Sequence, residues 1–414
     1  MTVVAVELWG RRVGALSDES GRPAFEYDPG WLASGPSISP VHLPLERGVF
    51  SFPDLVRQPG FVGMPGVFAD SLPDRFGNRV IRAYLESRGQ TADGVSPADK
   101  LLYVGRRGMG ALEYEPAIPL HDDESHVGLE LAVLVDQARQ VIHGNLTTRI
   151  PDIMEAASSA GGMRAKALIA WNRQSNEVIA NQTNLPPGFT PWIVKFDGMD
   201  EQGRPQHWTR MEFGYNEMAR AAGVQMAESE LLPQGELAHF ATRRFDRDQG
   251  RKIHLHSLCG VQHADFNQPR SWSYELYLRT CLRLGLSMSE LAEAYRRMVF
   301  NVVARNQDDH TKNLAFLLDE DAEGWRLAPA FDVTYAHGTN WTAAHQMSVR
   351  GTYEEIGRRE LDAVADLFGI KRHREIISQV TQAVARWPEF ADRAGLVSTI
   401  AERIGADHLL LSSG

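Results

Sequence analysis

The chain has 414 residues, 43% of them hydrophobic and 23% charged, so it can bury a large core and its length suits two or three domains. A formal net charge of −10 excludes a general electrostatic hold on DNA or on an anionic membrane, and no apolar run reaches membrane-spanning length. Cys259 and Cys281 lack metal-ligand spacing and read as core residues of a reducing compartment, which, with an N-terminus that runs directly into a strand pattern, predicts a cytoplasmic protein.

Taken in chain order, residues 1–122 are rich in glycine, proline and short apolar runs. Residues 3–9 and 12–16 flank Gly10 as a hairpin, residues 25–27 make a further strand, and Phe76, Val80, Ile81, Tyr84 and Leu85 share one face of a helix over 74–87. The polar stretch 121–126 reads as a linker. Residues 135–247 are mixed in pattern, and residues 248–414 are mostly helical, with periodic segments near 273–285, 288–305, 359–368, 373–387 and 396–404. A small mixed region before a helical one is the order of the two lobes of a kinase.

The last region contains the pattern with most chemistry in it. Leu291, Ala294, Tyr295, Met298, Val299, Val302 and Val303 recur at helical spacing; a polar run then breaks the helix, and the strand-like residues 314–318 follow. Polar groups wedged between buried elements are costly unless satisfied or used. Asp308 and Asn313 stand five apart, the spacing of a phosphoryl-transfer loop in which the Asp orients an attacking hydroxyl and the Asn holds magnesium. Asp332 closes the apolar run 327–331, predicted as a short strand, and supplies a second metal ligand.

Upstream, Ser158, Ser159, Ala160, Gly161 and Gly162 open a glycine turn before a strand over 167–171, which suits either a phosphate loop or an ordinary hairpin. Lys195 ends the apolar strand 192–196, where a charge is anomalous unless paired or bound to phosphate. Glu212 opens a predicted helix over 212–223, either as the partner that holds Lys195 or as a surface glutamate favoured at a helix start.

Together with Trp9, the run 13–16, residues 25–27, Trp31-Leu32, residues 68–74, Gly110–Tyr114 and Phe245-Asp246-Arg247, these parts resemble the HipA-like serine/threonine kinases, the toxin halves of HipA–HipB pairs, over essentially the whole chain. The resemblance implies an α+β, protein-kinase-like bilobal fold: an extra N-terminal α/β subdomain at 1–122, a mixed α/β small lobe at 135–247 and a helical catalytic lobe at 248–414. It implies ATP and Mg2+ as cofactors, with Lys195 on the nucleotide phosphates, Asp308 as the catalytic carboxylate, Asn313 and Asp332 as magnesium ligands, His310 and Lys312 near the γ-phosphate, and Arg243 and Phe245 beside the adenine. It further implies self-inactivating autophosphorylation at Ser158 or Ser159, a HipB-like helix-turn-helix antitoxin as partner, DNA contacted only through that partner, no membrane, and a protein substrate such as an aminoacyl-tRNA synthetase. Residues 254–259 replace a more acidic segment of the best-known members. Two alternatives stay open: a lipid or small-molecule kinase, because Asp308, His310 and Asn313 also resemble the loop of phosphoinositide kinases, and a mainly non-catalytic corepressor acting with the antitoxin.

Overall fold

A computed structural model of the chain describes residues 2–19, 21–92, 94–118, 128–129, 131–144, 153, 156, 164–180 and 185–411. The predicted linker at 121–126 and the turn from Ser158 to Gly162 lie outside these described residues. The chain divides into two compact units, Met1–Gln206 with Leu232–His256, and His207–Leu231 with Ser257–Gly414.

The first unit carries two sheets. In the N-terminal sheet, β1 (Thr2–Leu8), β2 (Arg11–Glu19), β3 (Arg22–Tyr27), β4 (Val49–Ser51) and β5 (Leu112–Glu115) run antiparallel in the order β4-β3-β2-β1-β5. The hairpin read around Gly10 is the β1–β2 pair. Alternation buries Val4, Val6 and Leu8 on one face, where Phe25 stacks against Tyr27 and Phe68 at 4.9 Å. Gly14 is fixed by close approach, since a Cβ there would sit 2.2 Å from the Glu26 carbonyl oxygen.

The second sheet is built from β6 (Gly128–Leu129), β7 (Lys166–Asn172), β8 (Glu177–Ala180), β9 (Thr190–Lys195), β10 (Ser229–Gln234) and β11 (Leu237–Arg243), in the order β10-β11-β9-β7-β8-β6. The helix predicted over 74–87 is Arg75–Ser87, started by the Asp74 carboxylate accepting from the Gly77 N–H at 2.6 Å. Its Phe76, Val80 and Ile81 join Leu134 and Ala138 of helix Leu131–His143 and Trp171, Trp192 and Val194 of the sheet in one apolar core.

Two motifs singled out in the sequence meet in a buried ion cluster of this unit. Asp246 accepts from Arg244 (2.7 and 2.9 Å), from Arg247 (2.8 Å) and from the Gly110 N–H (2.7 Å). The two guanidiniums hold its carboxyl far below the usual range despite complete burial. Gly110, at φ +75°, lies against the Leu255 backbone. Nearby His256 donates or accepts at both ring nitrogens, to Asp70 (2.8 Å) and to Ser39 (3.0 Å), so the departing segment at 254–259 is part of the packing.

The second unit is mainly helical: Trp208–Ala221, Tyr274–Arg283, Met288–Val303, Arg358–Phe368, His373–Ala385, Trp387–Arg393 and Ser398–Asp407. Ser287 and Glu290 form a capping box that starts helix Met288–Val303, whose Tyr295, Met298, Val299 and Val303 are fully buried. Two boundaries differ from expectation. The helix expected to open at Glu212 opens at Trp208, because Met211, Tyr215 and Met218 extend its buried face backward, so Glu212 is an interior residue of the helix. The strand predicted over 327–331 shrinks to Arg326–Leu327; beyond it only Ala330 bridges, to Met226, and the proline at 329 has no N–H for a ladder.

Candidate active site

The end of helix Met288–Val303 sets the site of the second unit. Past Val303, Arg305 adopts φ +55° and the chain doubles back, with the Asn306 N–H bonding the Asn301 carbonyl at 2.9 Å. The next residues pair with the segment beyond Asp332: the Gln307 N–H donates to the Ala336 carbonyl at 2.9 Å, and the Ala336 N–H to the Arg305 carbonyl at 3.1 Å. This ladder places the polar run beside Asp332 even though the chain between them contains the strand pair Ala315–Leu318 and Arg326–Leu327.

The two neighbouring aspartates have opposite environments. Asp308 keeps 41% of its side chain exposed; its Oδ1 accepts from the Trp341 indole N–H at 2.6 Å and lies 3.8 Å from His310 Nε2, while its carbonyl accepts from Asn313 Nδ2 at 3.1 Å. Asp309 is only 3% exposed. Its carboxylate is consumed internally, accepting from the Tyr274 hydroxyl (2.7 Å), His345 Nδ1 (2.8 Å) and the Gln346 N–H (2.7 Å). Burial, reinforced by the Asp309 charge, pushes the Tyr274 hydroxyl well above its ordinary pKa and keeps it a donor. Of the pair, only Asp308 has a carboxylate oxygen available for chemistry.

Asp309, His310, Asn313 and Asp332 line one cavity of ≈ 20 Å³, the scale of a water or an ion rather than a nucleotide. Burial lowers the pKa of the His310 imidazole against the pull of Asp308, Asp332 and Asp309, so the ring is neutral near pH 7. Its ring packs against Phe266 at 5.3 Å, and Lys312 Nζ lies 5.4 Å from the same Phe266 ring. Thr311 anchors the loop through its hydroxyl to the Ala264 carbonyl at 2.7 Å. Asp332 has φ +53°, a left-handed conformation that a non-glycine residue keeps only when its surroundings impose it, and such residues cluster at functional sites.

The donor set suits magnesium. Asn313 uses its amide nitrogen on Asp308, which turns its oxygen to other partners, and Asp332 brings a carboxylate to the same cavity. Among the described residues no group of three or more His, Cys, Asp or Glu could hold a metal by itself. A carboxylate and an amide oxygen, completed by water and phosphate, are what a hard, strongly hydrated cation such as Mg2+ takes.

Of the other predicted residues, Lys195, Arg243 and Phe245 belong to the first unit and Glu212 to the second. Lys195 ends β9 in the first unit, half-buried, 5.9 Å from the Phe240 ring and opposite Lys166, which is buried and paired with Asp74 at 3.7 Å. Arg243 is exposed at the end of β11, opposite Trp192, and Phe245 is half-buried two residues on. Glu212 is buried at 2% in the second unit. Sequence reading missed Asp309, Tyr274, Trp341, His345 and Gln346. A doubled aspartate signals two roles only once burial is known, and residues 336–346 show no periodicity that would place them at the loop.

Comparison with known proteins identifies the family of the chain. A family model described as the HipA-like C-terminal domain matches residues 158–387, and one for the HipA N-terminal domain matches residues 4–115. Two Sinorhizobium fredii proteins, named "Putative kinase Y4dM" and "Putative kinase Y4mE", are 26% and 25% identical over 88% and 80% of this chain and 85% and 77% of their own lengths. A Shewanella oneidensis structure titled as a complex of HipA, HipB and operator DNA superposes with a TM-score of 0.68 at 18% identity, covering 97% of this chain and 94% of its own. It supports the same fold.

Proposed function

The chain belongs to the HipA family, and from that membership we propose that it is a magnesium-dependent serine/threonine protein kinase of the toxin type. The observation that carries the reading is the gathering of Asn313, Asp332 and His310 on one cavity, with Asp308 alongside and its carboxylate half-exposed. Asp308 orients an acceptor hydroxyl and takes up its proton as that oxygen bonds to the γ-phosphorus; the bond from the γ-phosphorus to its bridging oxygen breaks and ADP leaves. Asn313 and Asp332 hold magnesium, which neutralises charge on the phosphates when bound. Lys195 contributes a cation to the phosphates, Glu212 orients that lysine, and His310 and Lys312 act near the γ-phosphate, with Arg243 and Phe245 on the adenine side.

The acceptor class is protein serine or threonine, with an aminoacyl-tRNA synthetase as the physiological target, so that phosphorylation halts translation. A HipB-like helix-turn-helix antitoxin is the partner; a net charge of −10 fits DNA contact through that partner rather than by this chain. Ser158 or Ser159 is the site of self-inactivation, since a dianionic phosphate there repels a bound triphosphate. Purified protein incubated with labelled ATP, magnesium and cell lysate should transfer label. Asp308→Ala and Asp332→Ala should lose it on the order of 10³-fold while remaining folded. Near wild-type transfer by either variant would refute the assignment, and peptide mass spectrometry decides whether residues 158–159 acquire phosphate.

A further inference from the structure

Asp308 is not simply presented to solvent; it is held. Trp341, in the short 3-10 turn Asn340–Ala343, gives its indole N–H to Asp308 Oδ1 at 2.6 Å. The Trp341 carbonyl in turn accepts from the Gln346 side-chain amide, which also reaches the Gln307 carbonyl at 3.4 Å and the Ala344 carbonyl at 3.2 Å. The Gln346 backbone N–H is bound by Asp309 Oδ1 at 2.7 Å. A closed circuit therefore runs from the buried Asp309 through Gln346 and Trp341 back to the neighbouring Asp308. Trp341 also stands edge-on to His310, with ring centroids 6.4 Å apart.

The terminal torsion of an aspartate is broad and two-fold, so a half-exposed carboxylate does not fix which oxygen points where. An indole N–H can only donate, and a hydrogen bond from it to a carboxylate is charge-assisted and directional. We propose that Trp341 is a positioning residue for phosphoryl transfer: it occupies one oxygen of Asp308 and thereby reserves the other for the acceptor hydroxyl. The inference rests on the reading of Asp308 as the catalytic carboxylate. Gln346 and Asp309 set the position of Trp341, so the turn Asn340–Ala343 is tied to the buried residue next to Asp308 in the loop it serves.

The test uses full-length protein, Mg2+, labelled ATP and casein as a generic acceptor. Trp341→Phe keeps the apolar ring and removes the donor. It should lower kcat about tenfold, the scale of one charge-assisted hydrogen bond, and leave KM for ATP within about twofold, because orientation and not nucleotide binding is lost. An unchanged kcat, or a change confined to KM, overturns the clamp; if Asp308→Ala is inactive in the same assay, the reading of Asp308 survives. Turnover retained by Asp308→Ala overturns both. A readout without turnover comes from 5-fluorotryptophan protein, in which the Trp341 resonance is assigned by its disappearance in Trp341→Phe. That resonance should shift in Asp308→Ala, and a resonance that stays in place overturns the clamp whatever the turnover.

Discussion

Replacing Asp309 by alanine removes an acceptor shared by the Tyr274 hydroxyl, His345 Nδ1 and the Gln346 N–H in a place where the residue is 3% exposed. A buried donor left without a partner costs about 1–3 kcal/mol, and some relaxation around the lost side chain is expected, so the second unit should lose roughly 4 kcal/mol. Asp309→Asn keeps the shape and the acceptor for Gln346 and loses less, roughly 1–2 kcal/mol, because His345 can accept from the new amide at Nδ1 once its proton moves to Nε2. Native-state hydrogen exchange followed by mass spectrometry reads this locally. Amides of helix Met288–Val303 that open with the second unit should exchange on the order of 10³-fold faster in the alanine variant, as roughly 4 kcal/mol requires, with the asparagine variant in between. A change under about fivefold in Asp309→Ala would show that the carboxylate is dispensable to packing and that the internal role assigned to it is wrong.

Three further outcomes are expected. Lys195→Ala should reduce turnover by about 10²-fold or more and Glu212→Ala by less, since the lysine is assigned to phosphate and the glutamate to the lysine; a silent Glu212→Ala beside a damaging Glu217→Ala would move the assignment along the helix to Glu217. Burial lowers His239, His254 and His408 to a pKa of about 4, below the ordinary 6.5, so the unfolded chain binds protons first as pH falls. The associated stability is complete above the unfolded value and declines between the two, at about 1.4 kcal/mol per pH unit for each histidine; urea midpoints measured through that window should fall less steeply in His254→Phe, and an identical slope would refute it. Gly110→Ala should destabilise the first unit by about 1–3 kcal/mol, because the position has φ +75° and a Cβ would lie 3.1 Å from the Leu255 nitrogen; an unchanged thermal midpoint would show that the backbone there can yield.

The candidate loop stood out because its spacing is itself a chemical constraint: Asp308, Asn313 and Asp332 can be singled out before any fold is known, and the helix and strand around the loop follow from apolar periodicity. The α+β class was legible for the same reason. What periodicity does not encode is the long-range polar wiring. Nothing local distinguishes Asp308 from Asp309, since the difference lies in Tyr274 and His345, both more than thirty positions away. Boundaries failed where a buried face extended past the polar residue taken as a start, as at Trp208, or where proline silenced a ladder, as after Leu327. The motif Phe245-Asp246-Arg247 carried the family resemblance with no role read for its aspartate, which proves to be committed to Arg244, Arg247 and Gly110.

The chain passes from one compact unit to the other at 206–207, returns at 231–232 and leaves again at 256–257. No single cut can therefore release either unit as a continuous polypeptide. A nick at 206–207 divides the first unit between the two fragments, one at 256–257 divides the second, and one at 231–232 divides both, so limited proteolysis at any of these junctions should yield fragments that stay together until denatured. Exchanging one unit between relatives requires grafting at all three seams, and helix Trp208–Ala221 with Glu212 must travel with the C-terminal residues rather than with the strands that precede and follow it. Recombination that respects only the order of the sequence would part that helix from its packing partners.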